Sequence, residues 1–416
     1  VATIDSFKTM TTFQTPDFHL PKLGKTVPAA AKRGLHMLQS IQKGCLHLTL
    51  PDGQRLRFGK DDAIQAHIQL HNWHVFGAAL RSGDIGFAES FMAGDWDTPD
   101  LTALLQLLVI NRRPMDDMIF GTWWGRLAYQ LRHWMRRNTK KNSSKNIHAH
   151  YDLGNAFYSL WLDPSMTYSS AWFDDNRQQD LQSAQHAKLR RALRMAGVQP
   201  GARVLEIGCG WGGLAELGAA EFGAHMTGIT LSPSQLAFAK QRLDALALSA
   251  DLRLQDYRDT NDGPFDAICS IEMIEAVGRD YWPTYFQTIA KLLKPGGRAC
   301  VQSIVIDDAL FERYALGTDF IQQYIFPGGF LPSQSTFIAQ AQAAGLEVVD
   351  QLAFGLDYAE TLKRWRESFL QVQAQMPALG FDLRFERTWL FYLAYCEAAF
   401  LEHNTDVVQF TLRQPA

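Results

Sequence analysis

The chain has 416 residues, 47% of them apolar, and its 40 lysines and arginines against 43 aspartates and glutamates leave a formal net charge of −3. That is length and apolar content enough for two packed domains, and the charge balance excludes a general polyanion binder, so no nucleic-acid partner is expected. The five cysteines, Cys45, Cys209, Cys269, Cys300 and Cys396, lack C-x-x-C spacing and read as reduced core residues of a cytosolic protein. No basic-then-apolar leader opens the chain, and no apolar run reaches the roughly 18–20 residues of a spanning helix, so a soluble or peripheral protein is expected.

In chain order, the first forty or so residues mix Thr, Pro and Lys and read as a loose leader, helical only near Ala29–Gln42. Cys45-Leu-His-Leu-Thr-Leu and Gln54-Arg-Leu-Arg-Phe58 flank the turn Pro51-Asp52-Gly53 as a hairpin. A strand at Ala66–Leu70 and helices near 74–82, 85–93 and 99–111 complete a small α+β unit, residues 1–111. Its apolar faces could close a core of their own, which composition favours, or open to hold a lipid chain.

Residues 112–146 have a different balance. From Met118 to Lys145 there is no acidic residue, while Arg126, Arg132, Arg136, Arg137, Lys140, Lys141 and Lys145 are basic. On a helical wheel Trp123, Leu127, Leu131 and Trp134 fall together, with the basic residues mostly opposite. The pattern fits a helix in a membrane interface and equally a linker helix docked by its aromatic face.

The remainder, 147–416, alternates strands and helices, which implies an α/β domain with a mostly parallel sheet covered on both faces. Its centre is Ala202-Arg-Val-Leu-Glu-Ile-Gly-Cys-Gly-Trp-Gly-Gly213, an apolar strand turning tightly into a helix. Glycine at 208, 210, 212 and 213 permits positive φ and lets a ligand approach bare backbone. The alternate spacing departs from the dinucleotide fingerprint. It resembles the S-adenosylmethionine loop of the Rossmann-like class I methyltransferases. Leu214–Phe222 reads as a helix closed by Gly223, and His225–Thr230 as the next strand, ending in Thr230 where many nucleotide sites carry an acid. Ser232 is a candidate N-cap with Pro233 in the first turn, Phe265–Ile271 a third strand, and Leu-Leu-Lys-Pro-Gly-Gly at 292–297 a helix stop before a strand at Arg298–Ile304.

Beyond this loop, His150-Tyr-Asp-Leu-Gly-Asn155, Met166-Thr-Tyr-Ser-Ser-Ala-Trp-Phe173, Val204–Gly213, Gln255-Asp-Tyr-Arg-Asp259, Glu275 before Val277-Gly278, and Tyr324-Ile-Phe-Pro-Gly-Gly-Phe-Leu-Pro-Ser333 occur in order. Together they resemble the cyclopropane-fatty-acyl-phospholipid synthases, strongly over 145–416 and weakly before. The resemblance implies methyl transfer from S-adenosylmethionine to the cis double bond of a phospholipid acyl chain, followed by loss of a proton from the new methyl group as a ring closes. A relative that stops at methylation, and a lipid-binding protein without catalysis, are the rival readings. The resemblance also implies a homodimer at the inner face of a membrane, with a phospholipid bilayer as partner.

Such chemistry needs excluded water, aromatic faces or a carboxylate near a cation, and a base. Tyr168, Trp172, Phe173, Tyr324, Phe326, Phe330, Tyr392 and Phe400 are the aromatic candidates, although for each taken alone core packing is the favoured role. In the family the base is a bicarbonate held by five residues. Carried over, these are Glu275, Ile304 and Tyr392, with Ser170 where a cysteine is usual and Gln302 where a histidine is usual. Serine and glutamine can donate to an anion, but glutamine cannot relay a proton, so weakened bicarbonate binding is the expectation. Glu275 could otherwise be an ordinary helix-start carboxylate. The cofactor contacts carried over are Tyr168, Ser169, Gly208, Gly210, Trp211, Thr230, Leu231, Gln235, Tyr257 and Arg258. Glu206 would anchor the loop or reach the methionine amino group. No metal site is expected, since His148 and His150 have no third ligand suitably spaced.

Overall fold

The computed structural model describes residues 27–60, 64–112 and 153–416. The basic aromatic segment 118–145 and both His148 and His150 lie outside the described residues. Two sheets organise the rest. The first has the order β2-β1-β3-β4, formed by β1 (Cys45–Thr49), β2 (Arg55–Gly59), β3 (Gln65–Leu70) and β4 (Trp96–Asp97). The hairpin pairs antiparallel as its turn requires, while β3 runs parallel to β1. Helices α1 (Ala29–Leu38), α2 (His74–Met92) and α3 (Leu101–Ile110) accompany it. Within α2 two helices meet at Gly83, as expected for 74–82 and 85–93, because its φ of 60° and ψ of −134° are non-helical and only glycine adopts them readily.

The second sheet has the order β10-β11-β9-β8-β5-β6-β7. It comprises β5 (Arg203–Ile207), β6 (His225–Thr230), β7 (Ala250–Leu254), β8 (Phe265–Ile271), β9 (Leu293–Ile306), β10 (Glu347–Ala353) and β11 (Thr405–Arg413). β9 through β7 run parallel, and β11 pairs antiparallel with both β9 and β10. Successive side chains of a strand point to opposite faces, and the sequence obeys this. Leu205, Ile268, Ala299 and Val301 pack on one face with α7 (Trp282–Leu292) and α9 (Gln334–Ala343). Val204, Ala267, Cys269 and Cys300 pack on the other with α4 (Leu181–Met195), α5 (Gly213–Ala220) and α6 (Pro233–Ala245). The sheet is thus covered on both sides, the class I methyltransferase arrangement. Three of the cysteines, Cys209, Cys269 and Cys300, belong to the second of these clusters, unpaired and buried.

Helix α8 (Asp308–Ala315) and two long helices, α10 (Gly355–Val372) and α11 (Leu383–Leu401), complete the chain. The N-terminal unit does not close a core of its own. Leu35, Leu48, Ile68 and Trp96 join one cluster with Trp365, Trp389, Tyr392 and Phe400 of α10 and α11. Polar bonds reinforce the contact: Thr102 donates to Glu397 at 2.9 Å, and Arg387 donates to the Trp96 carbonyl at 2.7 Å. No helix among the described residues is long and apolar enough to cross a membrane.

Candidate active site

Two constellations meet at the carboxyl ends of β5, β6 and β8, the position where open α/β sheets bind ligands. The first is the glycine loop after β5. The N–H groups of Gly208 and Cys209 both donate to the Ile229 carbonyl at 3.0 Å, which pins the loop to β6. Gly208, Gly210 and Gly212 have φ of 86°, 48° and 85°. A Cβ on Gly210 would meet no atom within 4 Å because it would project into a cavity of about 160 Å³. Tyr168, Ser169, Glu206, Gly208, Gly210, Trp211, Thr230, Leu231, Gln235 and Tyr257 all line that cavity.

Arg258 is the exception among the expected contacts. Its guanidinium pairs with Asp256 at 2.6 Å and lies over the rings of Tyr257 and Tyr281, so it braces the cavity wall from behind rather than lining it. At the end of β6 the usual acid is replaced by a hydroxyl–amide pair: Thr230 donates to Gln235 Oε1 at 3.2 Å, and Ser232 caps α6 by accepting from the Gln235 N–H. Trp211 is held by donating its indole N–H to Asn155 at 2.8 Å.

The cavity suits S-adenosylmethionine on its own chemistry. Glu206 Oε2 and the Tyr257 hydroxyl are buried without hydrogen-bond partners, and burial pushes the Glu206 carboxyl well above its ordinary value. An orphaned carboxylate oxygen beside a glycine cradle is satisfied by a ligand ammonium.

The second constellation centres on Glu272, which the sequence reading missed. It directly follows β8, has a positive φ of 49°, and lines the same cavity. Its Oε1 accepts from the Ser170 N–H at 2.8 Å and from Gln302 Nε2 at 2.7 Å, and its Oε2 accepts from the Tyr358 hydroxyl at 2.6 Å. Gln302 is itself oriented by Gln409, whose amide donates to Gln302 Oε1 at 3.0 Å. Burial raises the Glu272 carboxyl, opposed first by the charge of Lys188 and then by these three donors. Lys188 is fully buried and donates to Ser169 Oγ at 2.5 Å; burial lowers it to about 8.

Glu275 sits beside this group. The Ile304 N–H donates to its Oε1, while Oε2 is buried without a partner. Burial, and then the charge of Glu272, push its carboxyl up to about 8, so it carries its proton at neutral pH.

The structure brings Ser170, Gln302, Ile304 and Glu275 together around the two carboxylates, with three particulars. Ser170 contributes its backbone N–H, because its hydroxyl donates to the Ala171 carbonyl. The tyrosine that reaches the group is Tyr358 of α10. Tyr392 of α11 instead shares a 2.6 Å hydrogen bond with the Tyr168 hydroxyl. Third, the Ser170 N–H, Gln302 Nε2 and the Tyr358 hydroxyl, donors of the kind an anion would use, bond the chain's own Glu272 carboxylate.

Of the aromatic candidates, Phe326 meets Tyr392 edge-on at 6.2 Å, and Phe400 stacks on Tyr358 at 4.4 Å. Trp172 packs against the cluster of α10 and α11, whereas Phe173 lies in a separate small cluster beneath Arg364 and Phe330 in the core beside α7. The Tyr324 hydroxyl donates to Glu89 of α2. Among the described residues no cluster of His, Cys, Asp or Glu could hold a metal ion.

Comparison with known proteins agrees with this geometry. Residues 138–410 match the family model described as mycolic acid cyclopropane synthetase. Tuberculostearic acid methyltransferase UfaA1 of Mycobacterium tuberculosis is 41% identical over 343 residues, 80% of this chain and 79% of that protein. The cyclopropane-fatty-acyl-phospholipid synthase of Escherichia coli K12 is 35% identical over 345 residues, 83% of this chain and 87% of that one. Among solved structures, mycolic acid cyclopropane synthase CmaA1 complexed with SAH and CTAB superposes with a TM-score of 0.61 at 32% identity, covering 65% of this chain and 98% of that one. The sheet order, the glycine cradle and these matches make the chain a member of the mycolic acid cyclopropane synthetase family, an S-adenosylmethionine-dependent methyltransferase of the cyclopropane-synthase type.

Proposed function

We propose that this chain methylates the cis double bond of an unsaturated acyl chain in a membrane phospholipid and releases a product without a ring, a methylene-bearing chain. The observation that carries the reading is Glu272, a carboxylate in the cofactor cavity fixed by Ser170, Gln302 and Tyr358. Bound S-adenosylmethionine supplies an electron-poor methyl group to the π electrons of the acyl chain. Glu206 and the 208–213 loop hold the amino-acid end of that ligand, and Tyr168, which lines the cavity and is held by the Tyr392 hydroxyl, offers its ring to the cationic chain.

Glu272 is the base. Its Oε1 already accepts two hydrogen bonds and its Oε2 one, which leaves one lone pair, on Oε2, to receive a proton. Burial raises the Glu272 carboxyl above its ordinary range despite its three donors and the Lys188 charge, which makes it a competent base, and in this reading it takes the proton only after an interval. In that time a hydride shifts from the methylated carbon to its cationic neighbour. The charge then lies on the carbon bearing the new methyl, and loss of a methyl proton to Glu272 gives C=CH2. The name of the relative UfaA1, a tuberculostearic acid methyltransferase, supports a methylated rather than cyclised product.

Ring closure is the second reading, favoured by the match to a cyclopropane-fatty-acyl-phospholipid synthase over most of both chains. There the same methyl proton leaves before any hydride shift. The two products have the same mass, so proton NMR of acyl chains from cells expressing the protein decides. Vinylidene signals are the expected result, cyclopropane signals overturn it in favour of ring closure, and unmodified chains overturn both.

A further inference from the structure

The hydrogen bond from Gln302 to Glu272 depends on which way an amide is turned. The two ends of a glutamine amide are nearly equal in size and opposite in polarity. With Oε1 in place of Nε2, Gln302 would set an oxygen against the carboxylate. What excludes that orientation lies outside the cofactor cavity, on α4 and β11.

Gln409 of β11 stands directly opposite Gln302 of β9 in the antiparallel register, and both side chains are fully buried. Gln409 Nε2 donates to Gln302 Oε1 at 3.0 Å and to the Lys188 carbonyl at 3.2 Å, and Gln409 Oε1 accepts from Arg191 Nη1 at 2.7 Å. Two of these three partners have no alternative role. A guanidinium stays charged and only donates, and a backbone carbonyl only accepts. Lys188 and Arg191 are one turn apart on α4, so a single helix face presents both to Gln409. Arg191 is itself anchored by Asp350 of β10, which accepts from its Nη2 at 2.8 Å. Gln409 therefore has one satisfied orientation. Gln302 has one that satisfies Gln409, and in it Nε2 faces Glu272 Oε1 at 2.7 Å. Turning either amide brings like ends together in the protein interior. Neither Arg191 nor Gln409 lines the cofactor cavity.

We propose that Arg191 is a positioning residue: acting through Gln409, its guanidinium fixes the Gln302 amide so that the Glu272 carboxylate meets an N–H. The consequence for rate rests on the reading of Glu272 as the base. A donated hydrogen bond favours the ionised carboxylate, the form that can take a proton, so its loss raises the pH that activity requires. Lys188 of α4, Tyr358 of α10 and Glu275 in the turn after β8 are the titratable groups that face Glu272, and the test leaves all three in place.

The test uses four variants of the full chain. Gln409→Met has nearly the same length and no charge, and releases Gln302. Gln409→Glu keeps a partner for Arg191 but offers Gln302 only oxygens, so Gln302 should turn and present Oε1 to Glu272. Arg191→Met removes the donor, and Arg191→Lys keeps one. Single-turnover formation of the deprotonated lipid product, vinylidene or cyclopropane, is followed across pH with Glu272→Gln alongside. The Gln302 side-chain N–H signals are recorded by NMR with isotope-labelled glutamine. A hydrogen bond to a charged group is worth about tenfold or more, so the acid limb of the profile should move up by about one pH unit in Gln409→Met and Arg191→Met, and further in Gln409→Glu. S-adenosylmethionine affinity should be unchanged. Arg191→Lys should restore the rate to within about threefold of wild type, with wild-type Gln302 signals that Gln409→Glu lacks. A rate loss equal at every pH makes these residues structural supports and overturns the proposal. So do Gln302 signals unchanged in the Gln409 variants, or Arg191→Lys as impaired as Arg191→Met. Should one Gln409 variant fail to fold, the other carries the same comparison. Full activity in Glu272→Gln would defeat the base reading alone, and the Gln302 signals would still decide whether Arg191 sets the amide.

Discussion

Glu272 and Glu275 are three residues apart and have opposite tasks. Glu272, fixed by three donors beside a buried lysine, is the group that accepts a proton; Glu275, with a partnerless Oε2, holds one. Glu272→Gln keeps the size but removes the base, and should lower the single-turnover rate of methylene-product formation by about 10²–10⁴-fold while leaving S-adenosylmethionine affinity within about threefold by calorimetry. Equal loss of binding and rate would instead make Glu272 a structural support of the cofactor cavity. Glu275 has a stability signature. Its carboxyl is at about 8 folded against 4.5 in its ordinary state, so the folded protein binds that proton more tightly. The contribution is fully present below pH 4.5 and is lost as pH rises through 8. Tm should therefore fall between about pH 4.5 and about pH 8 and level off above, and fall less steeply in Glu275→Gln; an identical slope in the variant would place the titration elsewhere. The sequence disclosed Glu275 through its motif. It did not disclose Glu272, since one acid after a strand is unremarkable until folding brings Ser170, Gln302 and Tyr358 to it across 102, 30 and 86 residues. Tyr358 was not disclosed for the same reason: it and Tyr392 both lie on long helices, and helical spacing cannot tell which hydroxyl reaches Glu272.

At the scale of elements, the glycine loop was the most legible feature, because its conformation is a property of residue type. β6 and β8 match their expected spans, and Ser232 caps α6 as its position implied. β9 was less legible. It starts at Leu293 rather than Arg298, and its pairing with β8 shifts register between Phe265 and Ala267, where Pro295-Gly296-Gly297 reads locally as a stop. Gly210→Val tests the loop. A Cβ at this cavity-lining position has no protein atom within 4 Å, so the added side chain takes ligand space, and valine must also adopt a φ of 48°. Calorimetry should find S-adenosylmethionine binding abolished in a protein whose circular dichroism is native; unchanged affinity in a folded variant would remove the loop from the cofactor site. The hydroxyl–amide pair Thr230 and Gln235 explains how β6 ends without an acid, a substitution visible in the sequence whose compensation five residues later was not.

For the whole molecule, the N-terminal unit shares its core with α10 and α11, while the large sheet keeps separate clusters on its two faces. Periodicity reveals which face of an element is apolar but not which element covers it. The basic stretch 118–145 bears on membrane contact. If it lies in the interface, replacing Arg132, Arg136, Arg137 and Lys140 with Gln should weaken co-sedimentation with anionic vesicles by about 1 kcal/mol per charge and flatten its salt dependence. Co-sedimentation indifferent to both would favour a docked linker.

The central claim is that the chain supplies its own carboxylate where a bicarbonate is held in the resembling enzymes, and bicarbonate dependence measures it directly. Glu272 has a φ of 49°, a conformation glycine adopts without strain, so Glu272→Gly removes the carboxylate and leaves its three donors in place. Methyl transfer by the purified wild type in bicarbonate-depleted buffer should be unaffected by added bicarbonate, whereas Glu272→Gly should be nearly inactive when depleted and regain activity as bicarbonate is added. A wild type that requires bicarbonate, together with a glycine variant that bicarbonate does not rescue, would contradict the account.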